Sequence, residues 1–295
     1  MTLELGPGPL LASRTTLRLG GRALAEARLD RAEDAEGLAD ALAGLGGAPF
    51  VLGGGSNVLA RDGELPLVVI APRLRGEPVI LHERAGDKIR VRVGAGVKLQ
   101  RLVAWLATQG LSGLGGLVGV PGTVGGAVAG NAGSYGDCLG DVLARVRVWT
   151  PRAGLRWVGR EGFSTAYRRF SLTGEDGFFL VLEAEIDCEV REPIDIRKDM
   201  VAHLGQKKAS QPITAATAGC VFKNPPGEAA WRLLEAAGFR GKRLGGVGFS
   251  EKHANFLVNY GGGTAGEAFS LLAAARQSVR ERSGYELELE VRVAP

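Results

Sequence analysis

The sequence predicts an α+β protein built of two or three lobes. Three observations carry that expectation. Helix and strand periodicities alternate along the chain with no repeat of fixed period. The 295 residues exceed what one hydrophobic core ordinarily organises, since cores stop growing near ~250–300 residues. Hydrophobic residues at 45% and charged residues at 23% are the balance of a folded chain, not of a disordered one.

From Glu33 to Leu45, the residues Ala35, Leu38, Leu42 and Leu45 fall on one helical face, and Gly46-Gly47 ends the pattern. Pro49 to Leu52 reads as a short buried strand, followed by the tight loop Gly53-Gly54-Gly55-Ser56-Asn57. Ile89, Val91 and Val93 alternate with Arg90 and Arg92 as in a half-buried strand, and Leu99, Leu102, Val103 and Leu106 mark the next helix. Gly113 to Gly136 is apolar, yet too broken by glycine and proline for a long helix. Val146 to Trp149 and Phe178 to Ile186 read as strands, the second continuous enough to be buried. The charged stretch Asp187 to Gln211 reads as a lobe boundary. Beyond it come a helix near Glu228 to Ala237 ended by Gly238, and a strand over Ala254 to Asn259. A helix opened by the capping box Thr264-Ala265-Gly266-Glu267 comes next, then an alternating strand over Tyr285 to Val293.

Composition excludes several classes. Three cysteines, Cys138, Cys188 and Cys220, form no C-x-x-C pair and have no histidine at zinc-ligand spacing, so neither a disulfide scaffold nor a metal site is expected. Met1 to Arg14 lacks the basic and apolar regions of a secretory leader, and no stretch approaches the ~18–20 apolar residues of a membrane span. A cytoplasmic protein without membrane insertion is the expectation. The net charge of +4 comes from 36 basic residues interspersed with 32 acidic ones, without a basic run or aromatic RNA-binding signature. Nucleic acid is therefore not an expected partner, and an anionic small molecule fits the mild excess better.

The 46 glycines are about twice the ordinary ~7% share and occur in clusters. Two such clusters beside apolar structure let backbone N–H groups approach a diphosphate without a Cβ in the way. Glycines that simply make turns explain the spacing equally well. Neither cluster is a dinucleotide G-x-G-x-x-G opening a helix or a phosphate-loop G-K-[ST].

Several motifs in order along the chain sharpen the reading. They are Arg14-Thr15-Thr16-Leu17-Arg18-Leu19-Gly20-Gly21, the Gly53 to Asp62 loop, Val120-Pro121-Gly122-Thr123-Val124-Gly125-Gly126 with Asn131-Ala132-Gly133, and Ala166-Tyr167-Arg168. Ala218-Gly219-Cys220-Val221-Phe222-Lys223-Asn224-Pro225, Ser250 to Phe256 and Glu290-Val291-Arg292 complete the set. In this order, over nearly the whole chain, they resemble the UDP-N-acetylenolpyruvoylglucosamine reductase family, in its shorter class. The resemblance implies an FAD-binding fold of the vanillyl-alcohol-oxidase type made of two α+β lobes, residues 1–70 and 71–190. It also implies a substrate-binding α+β lobe over 191–284 and a C-terminal strand, 285–295, that carries a catalytic glutamate.

The same resemblance implies noncovalent FAD, NADPH and a UDP-sugar nucleotide substrate, with a monomer or weak dimer as the working form. Hydride goes to the enolpyruvyl β-carbon and a proton to the α-carbon. Arg168, in the Tyr167-Arg168 pair, is implied as the planar fork on the substrate carboxylate; Arg169-Phe170 departs from the residues that commonly come after the pair. Cys220 stands where the family more often has serine and is implied as the proton donor, with a thiol mostly protonated at neutral pH. Without the resemblance, a lone cysteine is read as a small buried hydrophobe. Glu290 is implied as the carboxylate that assists protonation, with Glu286 and Glu288, on the same face of the expected strand, as fallbacks. The flavin falls to Gly53, Gly54, Gly55, Ser56, Asn57, Gly119, Pro121, Gly122, Thr123, Gly125, Gly126, Asn131, Ala132 and Gly133. The substrate falls to Tyr167, Lys223, Asn224 and Lys208, with Lys207 a weaker choice, and His253 reads as a structural hydrogen-bonding histidine. Two other classes stay open: a different flavin oxidase of this fold, and a binding protein that lost proton donation through the change to cysteine.

Overall fold

A computed structural model describes residues 3–295. Two compact units emerge, each assembled from separated stretches of chain. One comprises the N-terminal residues up to Gly6 with 25–54 and 68–206; the other comprises 7–24, 55–67 and 207–295.

The first unit is built on a six-stranded antiparallel sheet. Its main path runs Gly154–Gly159, Leu143–Thr150, Leu180–Val190, Lys88–Gly94, Val79–Ala85, and the short strand Leu111–Ser112 also pairs with Leu180–Val190. The long central strand is buried along most of its length, as its unbroken apolar run requires. One face packs Val91, Val93, Val146, Val148, Ala184 and Ile186 against the helix Leu99–Thr108, whose Leu99, Leu102, Val103 and Leu106 turn inward. The other face carries charges, but they are paired rather than solvated: Arg90 meets Asp187 at 2.8 Å, and Arg92 meets the fully buried Glu185 at 2.8 Å. The expected helix from Glu33 is a 3-10 turn, Ala32–Gly37, running into an α-helix, Leu38–Leu45, that stops at left-handed Gly46.

In the second unit, a four-stranded sheet in the order Thr217–Cys220, Phe256–Asn259, Val247–Phe249, Arg243–Leu244 packs against helices Ala230–Ala236 and Ala265–Ser283. Phe222, Phe239, Phe249, Leu257, Leu272 and Ala275 form its core. The capping box reads out as expected, since Thr264 Oγ1 accepts from Glu267 N–H at 3.1 Å and Glu267 Oε2 from Thr264 N–H at 3.0 Å. Asp62 adds its carboxylate to the N–H groups of Ala265 and Gly266 at the same helix end.

The boundary between the two units falls inside 187–211, at Gln206 and Lys207, but the stretch is regular structure: it finishes the central strand and then forms the helix Pro193–Ser210. Met200 and Leu204 pack that helix on the first core, and Ile196, at i to their i+4 and i+8, is buried, while Ile194 and Val201 stay exposed and blur the pattern. The strand expected over 285–293 is mostly irregular chain. Only an isolated pairing of Leu289 with Phe222 and a three-residue strand, Arg292–Ala294, parallel to Val58–Ala60, survive.

Candidate active site

In the first unit the two glycine clusters press on each other. A Cβ on Gly53 would lie 2.3 Å from Thr123 Oγ1, and one on Gly54 would lie 2.8 Å from Gly122 Cα. Glycine is thus required at these positions by packing between the loops, a reason spacing did not reveal. Gln100, which sequence reasoning missed, fastens the second loop. Its Nε2 donates to the carbonyls of Leu117 and Val120 at 2.9 and 2.6 Å, and its Oε1 accepts from Gly119 N–H at 2.6 Å.

The start of the helix Val124–Ala129 does not offer its donors to a ligand. Val124 N–H goes to Val97 O, Gly125 N–H to Ala95 O and Gly126 N–H to Thr123 Oγ1. This corrects the expectation that residues 124–126 present N–H groups to a diphosphate. What fits FAD is the backbone of Gly53, Gly54 and Pro121, which is exposed and, at the two glycines, bare of side chain. Gly122 and Thr123 lie half-buried beside it.

Tyr167 and Arg168 form the two-residue tip of a hairpin whose strands, Phe163–Ala166 and Arg169–Leu172, pair up to Ala166 and Arg169. Arg168 sits at φ +55°, a left-handed conformation that side-chain-bearing residues adopt rarely and at a cost. Its guanidinium donates to Gly133 O at 3.2 Å and lies 5.2 Å from the Tyr167 ring. The residues that depart from the family pattern have their own explanation: Phe170 is buried between Phe163 and Phe179, at 5.2 and 5.5 Å between ring centroids, and Arg169 is exposed.

Asn131 holds this hairpin. It is 5% exposed, donates Nδ2 to Ala166 O at 2.8 Å, and accepts at Oδ1 from Gly140 N–H at 2.8 Å and from the Cys138 thiol at 3.1 Å. Its amide is therefore engaged within the protein, so the expectation that Asn131 binds the flavin finds no free side-chain acceptor here. Ala132 and Gly133 come after it in the same turn, half-buried.

In the second unit Gly55 is buried at φ +62°, where a Cβ would fall 2.1 Å from Arg14 O, and its carbonyl accepts from Thr16 N–H. Thr16 Oγ1 reaches Thr217 O at 2.6 Å, at the start of the Cys220 strand. Half-buried Ser56 and Asn57 are next in the loop. Asn57 Nδ2 donates to Glu290 O at 3.1 Å, and Asn57 O accepts from Arg292 N–H at 3.0 Å.

Cys220 is half-buried and pairs across the strands with Phe256. Asn255, 2% exposed, fixes the two residues after it, Val221 and Phe222. Its Oδ1 accepts from Phe222 N–H at 3.0 Å, its Nδ2 donates to Phe222 O at 2.8 Å, and its carbonyl accepts from Val221 N–H at 2.9 Å. Val221 O in turn accepts from Glu290 N–H at 2.8 Å, so one residue joins the segments of Cys220 and Glu290. His253 accepts at Nδ1 from Asn255 N–H at 3.2 Å, and burial, then the charge of Arg240, pushes its imidazole down, so it acts as a neutral acceptor. The other thiols differ in kind. Cys188 is buried and its thiol is pushed up to about 12 by that burial, which leaves it inert, and Cys138 is engaged by Asn131.

The fallback glutamates are occupied at the surface, Glu286 with Arg280 at 2.9 Å and Glu288 with Lys223 at 3.0 Å. Of the expected substrate residues, Asn224 caps a helix through Oδ1 to Ala230 N–H at 3.0 Å, and Lys208 is exposed. Lys207 is 2% exposed, and burial pushes its ammonium down to about 8. Among the described residues no helix is long and apolar enough to cross a membrane, and no group of three metal-ligating side chains occurs.

The chain matches the family described as "FAD binding domain" over residues 30–159, which places it among FAD-binding proteins of α+β fold. Residues 211–294 match the family described as "UDP-N-acetylenolpyruvoylglucosamine reductase, C-terminal domain". The UDP-N-acetylenolpyruvoylglucosamine reductase of Nitratidesulfovibrio vulgaris is 51% identical over 99% of this chain and 98% of its own length, and that of Oleidesulfovibrio alaskensis is 50% identical over 98% and 97%. The crystal structure of the UDP-N-acetylenolpyruvylglucosamine reductase from Thermus caldophilus superposes with a TM-score of 0.81 at 34% identity, covering 100% of both chains. The chain belongs to the UDP-N-acetylenolpyruvoylglucosamine reductase family, flavoprotein oxidoreductases of peptidoglycan precursor synthesis.

Proposed function

We propose that the protein reduces the enolpyruvyl ether of UDP-N-acetylglucosamine to UDP-N-acetylmuramate, with NADPH as reductant and noncovalent FAD as cofactor. The observation that carries the reading is the link between Cys220 and Glu290. A proton donor and a carboxylate lie on two segments joined through Val221, in a family whose reaction needs a proton at carbon. When bound, FAD would supply the hydride chemistry between NADPH and the enolpyruvyl β-carbon.

The chain's own residues do the rest. Arg168 binds the substrate carboxylate with its planar fork and stabilises the negative charge that spreads onto it as the α-carbon becomes electron-rich. Cys220 gives its thiol proton to the α-carbon and recovers one from solvent. Glu290 orients that transfer. Tyr167, Lys223, Asn224 and Lys208 receive the sugar nucleotide, with Lys223 exchanging Glu288 for the diphosphate and Asn224 offering Nδ2, because Oδ1 already caps a helix. Gly53 to Asn57 and Gly119 to Thr123 cradle the flavin diphosphate. We assign residues 1–70 and 71–190 to the flavin, and 191–284 with the C-terminal segment to the substrate. We place the reaction in the cytoplasm, carried out by a monomer or weak dimer.

The test is anaerobic and runs in two steps. NADPH should bleach the flavin absorbance of the purified protein, and the enolpyruvyl substrate should restore it with formation of one UDP-N-acetylmuramate per flavin. Colourless protein that takes up no added FAD, or reduced protein that the substrate fails to reoxidise, would sink the proposal.

A further inference from the structure

Glu290 has no regular strand to fix it. Its neighbours are the lone pairing of Leu289 with Phe222 on one side and the three-residue strand Arg292–Ala294 on the other. A carboxylate on irregular backbone is placed only as well as the hydrogen bonds that hold that backbone. Four do so. Glu290 N–H and Val291 N–H both donate to Val221 O, at 2.8 and 3.4 Å, Glu290 O accepts from Asn57 Nδ2 at 3.1 Å, and Arg292 N–H donates to Asn57 O at 3.0 Å. Two of the four come from Asn57, and one of those is made by its side chain.

We propose that Asn57 is a positioning residue for Glu290, fixing the peptide on the C-terminal side of the glutamate rather than serving the flavin through its side chain. The proposal rests on the functional role proposed for Glu290. With Nδ2 directed to Glu290 O, the amide sets the 290–291 peptide plane, and through it the direction in which the Glu290 side chain leaves the backbone. The loop Gly53 to Asn57 then has two jobs at its two ends, with bare glycine backbone at one and a hold on the proton-handling segment at the other.

The experiment uses full-length, FAD-loaded enzyme carrying Asn57→Ala or Asn57→Asp, each alone and combined with Glu290→Gln. The aspartate keeps the size of asparagine and lacks its donor. Flavin content, reduction by NADPH and reoxidation by the enolpyruvyl substrate are measured separately. Loss of one neutral hydrogen bond that positions a reacting group should slow reoxidation about tenfold, with flavin retained and reduction changed less than about twofold. In the Glu290→Gln background the same change should add less than about twofold, because the two residues act as one unit. Loss of flavin, equal slowing of both half-reactions, an equal factor in both backgrounds, or failure of both variants to fold would overturn the proposal. A parent enzyme that the substrate does not reoxidise would instead overturn the functional reading beneath it, and that is seen before any variant is made.

Discussion

In the first unit the side chain proposed to meet the substrate sits on strained backbone, whereas in the second the two residues proposed to handle the proton are held by hydrogen bonds between segments. Arg168 stands at φ +55° on a two-residue tip, with Phe170 anchoring one strand in the core and Asn131 holding the carbonyl of Ala166. Cys220 and Glu290 depend on Asn255, Val221 and Asn57, which supply hydrogen bonds where regular pairing stops. The contrast fits the roles proposed for each group. An arginine that is to meet a carboxylate needs reach and a fixed direction at an exposed tip. A thiol and a carboxylate that are to share a proton task need their backbones tied to each other.

Stability measurements test whether the second arrangement is as dependent on hydrogen bonds as its geometry implies. Asn255→Ala strands the buried N–H and C=O of Phe222, so it should cost roughly 2–4 kcal/mol in denaturant unfolding. A loss below about 0.5 kcal/mol, no larger than that of an ordinary surface change, would mean that the segment is held by packing alone.

Lys207 extends the comparison to charge. Below about 8 the lysine is charged in the folded and unfolded chains alike, and the folded chain carries the cost of burying it. Between about 8 and the ordinary 10.5 the unfolded chain binds more protons, so stability rises with pH. Lys207→Met should therefore raise stability at pH 7 by about 1–2 kcal/mol, a gain that shrinks as pH climbs toward 10. A gain independent of pH would assign the effect to packing.

The smallest expected effect concerns the hairpin. Arg168→Gly and Arg168→Ala remove the same side chain, but only glycine relieves the left-handed φ, so the glycine variant should be the more stable by about 1 kcal/mol. Both should lose substrate-dependent reoxidation. Equal melting temperatures would show that the tip stores no strain.

How far the sequence alone reached tracks the same physical divide. Helices with a clean apolar face or a capping box, such as Leu99–Thr108 and Ala265–Ser283, were readable because burial and local bonds impose their period. The helix Pro193–Ser210 was not, since its exposed Ile194 and Val201 obscure the narrow stripe of Ile196, Met200 and Leu204. The alternation Glu286, Leu287, Glu288, Leu289, Glu290 imitates a strand, yet the bonds of that segment go to Phe222, Val221 and Asn57 singly rather than in a ladder. For the proposed site, motifs singled out Arg168, Cys220 and Glu290, but nothing local distinguishes an asparagine that would touch a ligand from one that holds a neighbouring segment. Asn131, Asn57, Asn255 and Gln100 act across 35, 233, 33 and 17 to 20 residues of sequence, distances that only the fold closes.

The central claim is that Cys220 delivers the proton and takes no part in hydride delivery, and the pair Cys220→Ala and Cys220→Ser tests it most directly. In single turnovers with separate reduction and reoxidation phases, the alanine variant should form UDP-N-acetylmuramate at least ~10²-fold more slowly while NADPH reduces its flavin at nearly the parent rate. The serine variant should keep substantial activity, because a hydroxyl can give the same proton from nearly the same place. Near-normal turnover by a well-folded alanine variant, or a serine variant as impaired as alanine, would contradict the account.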